Sequence, residues 1–375
     1  MTLPPEAFAT ALAGLPRMGP ARLASVLGAW APAEAWARVL RGQPWPEPEV
    51  RAALGADGAA VQAAWRSAAL ATDVASVWRR LGDSAVGVTL PGTSAYPAPL
   101  GDDIEPPAVL FHLGDLAAIA GRRVAIVGTR RCTATGAGVA YELGRELAAQ
   151  GIAIVSGLAW GIDGAAHRGA LAAGATPPIG VVGSGLDVVY PAGQQRLWDA
   201  VAATGVLLSE APLGAHPERW RFPARNRIIA ALADVVVVVE SHQRGGSFHT
   251  VDEADRRGID VMAVPGSVRN AAARGVNDLL AEGRAPVRDV DDVLIALGLT
   301  AATRHRATAD PRPPPLEADR AVLEAVGWQA SSLDQIAVRT GRSLPDLAGA
   351  LDRLCAACWV RREGGWYERT SAGGG

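Results

Sequence analysis

A chain of 375 residues, 49% of them apolar, is long enough for two or three globular units with real cores. Its 36 basic residues, all arginine, are balanced by 38 acidic ones, so a nucleic-acid surface would have to be a local concentration of charge rather than a global one. No apolar run approaches the roughly 18 residues of a membrane span, the N-terminus lacks a basic-then-apolar leader, and Cys132, Cys355 and Cys358 are too few for a disulfide framework; a soluble, cytoplasmic chain without membrane contact is expected.

Residues 1–70 read as a helical unit with Trp30, Trp36 and Trp65 at core-compatible positions. Within it, Leu12 to Leu27 (LAGLPRMGPARLASVL) fits a SAM-like helix-hairpin-helix, whose Gly-rich hairpin aims amides at a DNA phosphate. It fits equally a tight turn between packed helices, since Gly and Pro punctuate any such turn. Residues 71–300 form the next unit, of which 71–121 is a lead-in holding a strand-like run (Ala85 to Leu90) and proline-punctuated text from Tyr96 to Phe111. Apolar runs then follow at Val124–Val127, Ile152–Val155, Ile179–Val182, Val206–Leu208, Val235–Val239 and Val261–Val264, with helical text in most gaps. A short strand near Pro286–Arg288 and a helix at Asp291–Leu297 close the series. Continuous apolar runs alternating with helices predict an α/β fold with a doubly wound, mainly parallel sheet. Residues 301–316, ending Pro311-Arg-Pro-Pro-Pro315, read as a stiff linker. Residues 317–370 have the order of a winged-helix domain: helices at Asp319–Val326, Leu333–Thr340 and Leu344–Leu354, then a hairpin at Trp359–Glu368. The third helix carries only Arg353 against Asp346 and Asp352, so a protein-binding or structural role competes with DNA reading.

The stretch from Val124 to His167 is strand, polar loop, helix, strand. A right-handed crossover puts that loop at the carboxyl edge of the sheet, where open α/β sheets bind ligands. Amides opening the following helix would face the same crevice as Arg130 and Arg131, which suits an anion, and phosphate is the anion expected. The loop Gly128 to Gly136 has neither Gly-x-Gly-x-x-Gly spacing nor a Gly-Lys-Ser/Thr ending, so NAD and ATP are disfavoured and no cofactor is expected. It suits one isolated phosphate held by amides, the hydroxyls of Thr129 and Thr133, and the fork of Arg130. The alternative is that Arg130 and Arg131 are simply solvated. In the second loop Asp163 reads as a helix cap, and Trp160 as a base-stacking platform or ordinary packing. Phe222 to Ala230 and Arg244 to Thr250 add two more Arg- or Gly-rich segments, and together the loops describe a basic trough. Cys355 and Cys358 read as core, the six histidines lack ligand spacing, and Gly183-Ser-Gly185 lacks the flanks of a nucleophile elbow, so no metal and no catalytic set are expected.

The motifs VAIVGTR, SGLAWGIDGAAH, GVVGSGLDVVYP, LLSEAP, FPARNRIIA, GGSFHT and VMAVPG, in this order, resemble the DNA-processing protein A (DprA/Smf) family over about Ala85 to Leu297. The resemblance implies an extended Rossmann-like domain that binds single-stranded DNA and homodimerises. It also implies a RecA-type recombinase as partner, loaded on incoming strands during natural transformation without bond-breaking chemistry. The family's DNA contacts map onto Gly128, Thr129 and Arg130, onto Arg225, Asn226 and Arg227 with Phe222 as a stacking candidate, and onto Gly246 and Ser247; Arg131, Thr133 and Arg244 join them from the loop reading. Two positions depart from the family: Trp160, where many members carry Arg or Lys, and His249 in the Gly-Gly-Ser-Phe-His-Thr turn. An alternative class is a nucleoside monophosphate phosphoribohydrolase, since Thr250-Val-Asp-Glu253 fits part of that pattern and Glu253 would be its acid or base.

Overall fold

A computed structural model describes residues 2–243, 245–299, 312–327 and 330–370. Arg244 and most of the expected linker therefore lie outside the described residues.

Six helices come first: α1 (Pro5–Ala13), α2 (Pro20–Ala29), α3 (Pro32–Arg41), α4 (Pro48–Leu54), α5 (Gly58–Leu70) and α6 (Val74–Asp83). The first four open on proline, whose preset φ and missing N–H suit the first helical position. Asp73 caps α6 by accepting from Ala75 and Ser76 N–H, so helix continues beyond Leu70, where the sequence places the end of the unit. These helices bury Leu12, Val26, Trp36, Val61 and Trp65 among themselves, but that core is not closed off from the next unit. Trp36, Val61 and Trp65 share one apolar cluster with Phe111, Leu158, Val182 and Leu207 of the following unit.

That unit runs β1 (Gly87–Thr89), α7 (Ala98–Gly101), β2 (Leu110–Gly114), β3 (Arg123–Val127), α8 (Ala134–Ala149), β4 (Ala153–Ser156), α9 (Ile162–Ala173), β5 (Ile179–Val181), α10 (Gln195–Thr204), β6 (Val206–Ser209), α11 (Arg221–Leu232), β7 (Val235–Val238), α12 (Phe248–Arg257), β8 (Asp260–Ala263), α13 (Arg274–Ala281), β9 (Ala285–Pro286) and α14 (Val290–Ala296). The sheet order is β1-β2-β6-β5-β4-β3-β7-β8-β9. From β6 to β9 every pairing is parallel; β1 and β2 are antiparallel additions at one edge. Side chains alternate between faces with the strand period of two. Ala125, Val127, Val155, Val236 and Val238 pack with Ile228, Ile229 and Val251 of α11 and α12. Val124, Ile126, Ile154, Val235 and Val237 pack with Ala140, Leu147 and Ala166 of α8 and α9. Both faces are thus covered, which is why the strands read as unbroken apolar runs.

The remaining elements are α15 (Glu317–Val326), β10 (Ser331–Ser332), α16 (Leu333–Thr340), α17 (Leu344–Ala356), β11 (Val360–Glu363) and β12 (Trp366–Arg369), with a small sheet ordered β10-β12-β11. They close a separate core around Val322, Ile336, Leu347, Leu351 and Tyr367. Ser332 and Gln335 form a capping box that starts α16. Among the described residues no helix is long and apolar enough to cross a membrane.

Candidate nucleic-acid interface

Strand β3 lies between β4 and β7, so successive strands step away from it in opposite directions and the loops after β3 and β7 border a crevice. The sequence predicts that the N-terminus of α8 faces a phosphate there. It holds Glu240 instead, a buried residue just past β7. Its Oε2 accepts the Thr133 N–H at 2.8 Å, and its Oε1 accepts the Thr133 hydroxyl at 2.6 Å and Asn270 Nδ2 at 3.3 Å. At Gly136 any Cβ would overlap this carboxylate. The Glu240 carbonyl accepts the Thr129 N–H at 2.7 Å, and a Cβ on Gly128 would come within 2.6 Å of that oxygen. The anion at this helix terminus is therefore the chain's own carboxylate. Thr133 is corrected accordingly: its hydroxyl donates to Glu240 and accepts the Gly136 N–H at 3.0 Å, capping α8 rather than meeting phosphate.

Pinned in this way, the loop projects Arg130 and Arg131 outward. Both are exposed, and among the described residues neither guanidinium has a hydrogen bond or ion pair. Arg130 lies 4.9 Å from the centroid of the Phe222 ring, and Phe222 lies 5.3 Å from Tyr190. Trp160, 48% exposed, lines the same hollow as Arg130, Tyr190 and Phe222. Thr129 Oγ1 accepts the Arg131 N–H at 3.2 Å and keeps its own proton to donate. A groove of about 700 Å³ brings together Gly128 to Arg131, Phe222, Arg225, Asn226, Gly246 and Ser247. Tyr190 and the exposed Arg219 also line it, and reading the loops for charge and glycine alone passes over both. Tyr190 stands next to last in the GVVGSGLDVVYP motif, where an aromatic before proline in a strand-end loop is the signal that marks it.

Several expected contacts play other parts. Arg225 is 7% exposed and forms the floor of the groove: Nη1 donates to Gly157 O at 2.9 Å and to Val181 O, and Nε to Asn226 Oδ1 at 3.1 Å. Burial pulls its pKa down to about 10 against the opposing pull of Asp163. Arg227 is corrected outright. Two positions on from Arg225, it faces the other way on α11, where it pairs with the Glu210 carboxylate and donates to Glu105 O. Asn226 reaches Gly246 O at 3.5 Å, and the buried Ser247 hydroxyl donates to Ser241 Oγ at 2.7 Å, so Gly246 offers backbone while Ser247 is internally bonded. Asp163 is not the cap of α9. Gly161, at φ 81°, takes that position, and Asp163 is buried in the first turn with its pKa raised by burial. Glu253, the general acid or base of the alternative reading, accepts from Arg256 at 3.0 Å and from Arg257, which is in turn held by Asp103 at 2.7 Å; it does not line the groove. Among the described residues no group of three or more His, Cys, Asp or Glu is placed to hold a metal ion.

Residues 87–298 match the family described as DNA recombination-mediator protein A. The chain belongs to this family. It is 40% identical over 285 residues to the putative DNA processing protein DprA of Mycobacterium tuberculosis, covering 73% of this chain and 71% of that one. To the DNA processing protein DprA of Bacillus subtilis it is 41% identical over 208 residues, covering 55% and 69% respectively. Its fold superimposes on the crystal structure of DNA processing protein A from Streptococcus pneumoniae with a TM-score of 0.64 at 31% identity, over 79% of this chain and 98% of that one. The family member from Helicobacter pylori, described with a single-stranded DNA binding mode, aligns with a TM-score of 0.51 at 29% identity, over 56% and 95%. The family match takes in the groove and all the strands from β1 to β9.

Proposed function

We propose that this protein grips single-stranded DNA along the groove and presents it to a RecA-type recombinase, breaking no bond, as a cytoplasmic homodimer serving natural transformation. One observation carries the reading: two unpaired guanidiniums, Arg130 and Arg131, converge with the rings of Trp160, Tyr190 and Phe222 on one rim of the sheet. Cations track a phosphate backbone, and aromatic faces stack on bases that only an unpaired strand leaves free. The single-stranded DNA binding ascribed to the Helicobacter pylori relative supports the same substrate, and the recombination-mediator family supports the recombinase. Within this reading residues 317–370 act as a winged-helix domain: three helices, a strand after the first, and a closing hairpin support the assignment. Arg353 is clamped to Asp319 at 2.7 and 2.9 Å, which supports a structural or protein-binding role for α17 over groove reading. The first helices, with the Gly-Pro hairpin between α1 and α2, fit the SAM-like helix-hairpin-helix assignment.

Titrating the protein with a dT oligomer, a duplex of equal length and AMP tests the function. Tight, salt-sensitive binding of the dT oligomer is expected, with weaker duplex binding and none of AMP. Equal or tighter binding of the duplex, or displacement of the oligomer by AMP, overturns it.

A further inference from the structure

The groove does not stop at Phe222. The first residues of α11 form a partition, with Phe222 on the groove side and Trp220 on the other. Beyond the partition, a cleft of about 770 Å³ separates the hairpin joining α1 to α2, Gly14 to Gly19, from the segment Pro212 to Ala215. A narrower hollow lies between the two spaces. It shares Val182, Gly183 and Arg225 with the groove side, and Met18 and Trp220 with the cleft.

Trp220 is 43% exposed at this junction. Arg221 lies 4.5 Å from its ring centroid, its indole N–H donates to Glu218 at 2.8 Å, and its far edge abuts Gly19 of the hairpin, where a Cβ would stand 3.9 Å from the ring. The ring is therefore held in place with much of its surface open. Three cations border the cleft: Arg22, which donates to the carbonyls of Arg17, Ala53 and Leu54, and two in ion pairs, Arg17 with Asp57 at 3.0 Å and Arg221 with Glu218 at 3.3 Å. Both pairs are solvent-exposed in whole or part, and such pairs contribute little, so either guanidinium can exchange its carboxylate for a phosphate. The carboxylates of Glu218 and Asp57 remain nearby, which limits the gain from each exchange.

We propose that a single strand held at Arg130 continues over Trp220 into the cleft between the helical head and the Pro212–Ala215 segment. One base stacks on Trp220 there, and backbone phosphates engage Arg221 and Arg17. This second subsite rests on the single-stranded DNA reading and assigns a binding role to the hairpin that the groove leaves unused. It makes affinity depend on length in a way that the groove alone does not.

The test is a dT series of increasing length, titrated at several salt concentrations with the full chain and with Trp220→Ala, Trp220→Phe, Arg17→Glu and Arg130→Ala. For short oligomers Trp220→Ala is expected to match the wild type. For long ones it should lose roughly five- to a hundredfold in affinity, the worth of one stacked base, with Trp220→Phe restoring most of it. Arg17→Glu should flatten the salt dependence for long oligomers only. Wild-type and Trp220→Ala curves that run parallel at every length overturn the subsite while leaving the groove intact, provided that Arg130→Ala still weakens short oligomers. An equal loss at every length in Trp220→Ala also overturns it, because Trp220 would then be acting on the groove through Phe222. Failure of the wild type to bind dT at any length overturns the underlying function instead.

Discussion

Arg130 and Arg227 carry the same charge but sit in opposite surroundings, one free beside a groove and the other closed on Glu210. Arg130→Ala should lower the slope of log affinity against log salt for a dT oligomer by about 0.7, the worth of one phosphate contact, and leave the urea midpoint unchanged. Arg227→Ala should do the reverse. It strands a buried carboxylate, costing about 3 kcal/mol in urea unfolding, with the salt slope untouched. Finding the two phenotypes exchanged would refute both assignments. The contrast also shows what a sequence holds at this scale. Two arginines between an apolar run and a helix announce themselves as loop cations, whereas the side that Arg227 faces depends on where α11 begins, and nothing in FPARNRII marks Arg221 as its first residue. His167 gives a second prediction. Its ring is fully buried beside the Ser156 backbone, and burial outweighs that contact and pulls the pKa down to about 4. Between that value and the ordinary value near 6.5 the unfolded chain binds a proton that the folded chain refuses. Stability from this group is thus complete above pH 6.5 and falls as pH drops toward 4, by about 3 kcal/mol in all. His167→Leu should flatten that part of the stability-against-pH curve in urea titrations. An unchanged slope would mean that the imidazole ionises in place.

At the scale of one element, α8 shows how a familiar motif can be turned to a different end. Its strand-loop-helix text is plain in sequence, and so is the expectation of an anion at its N-terminus. The identity of that anion is not, because Glu240 stands 107 residues from Thr133 and no local pattern links them. The same blindness to distance hides β2, whose Leu110–Gly114 run follows prolines and becomes a strand by pairing with β1 and β6. Glu240 has a calculable consequence. Hydrogen bonds to a charged partner are worth about 1.5–3 kcal/mol each, and Glu240 accepts two from Thr133 alone. Glu240→Ala should therefore lower the melting temperature and weaken dT binding, since the loop bearing Arg130 loses its anchor. It should also create what the wild type lacks, an open helix N-terminus. Inorganic phosphate should raise the melting temperature of Glu240→Ala by binding the folded state, while leaving the wild type unmoved. A phosphate response of equal size in both proteins would show that the carboxylate is not filling an anion site.

The whole molecule divides unevenly, and the division sets what can be removed. Residues from Glu317 to Arg369 bury their own apolar cluster, and α17's lone arginine is spent on Asp319. Every described residue lining the groove falls between Val127 and Thr250. A chain ending after Leu299 should consequently keep both the dT affinity and the salt slope of the full protein. The helical head is different. The proline-rich text after Thr300 announces a separate tail, but nothing near Trp65 reveals that its cluster includes Phe111, Leu158, Val182 and Leu207, because these partners come from strands and loops far along the chain. Deleting the first 83 residues strips the head's side of that cluster, leaving Leu158 and Leu207 under Val201 of α10, and each large apolar side chain left exposed forfeits about 1.5–3 kcal/mol. For a domain whose whole stability is of order 5–15 kcal/mol, exposing a few such side chains is enough to unfold it. The head deletion should thus be insoluble or molten, with no cooperative melt in circular dichroism, where the tail deletion melts as the full chain does. A head deletion that melts cooperatively and still binds dT would show that the sheet carries its own stability and that the shared cluster is only a docking contact.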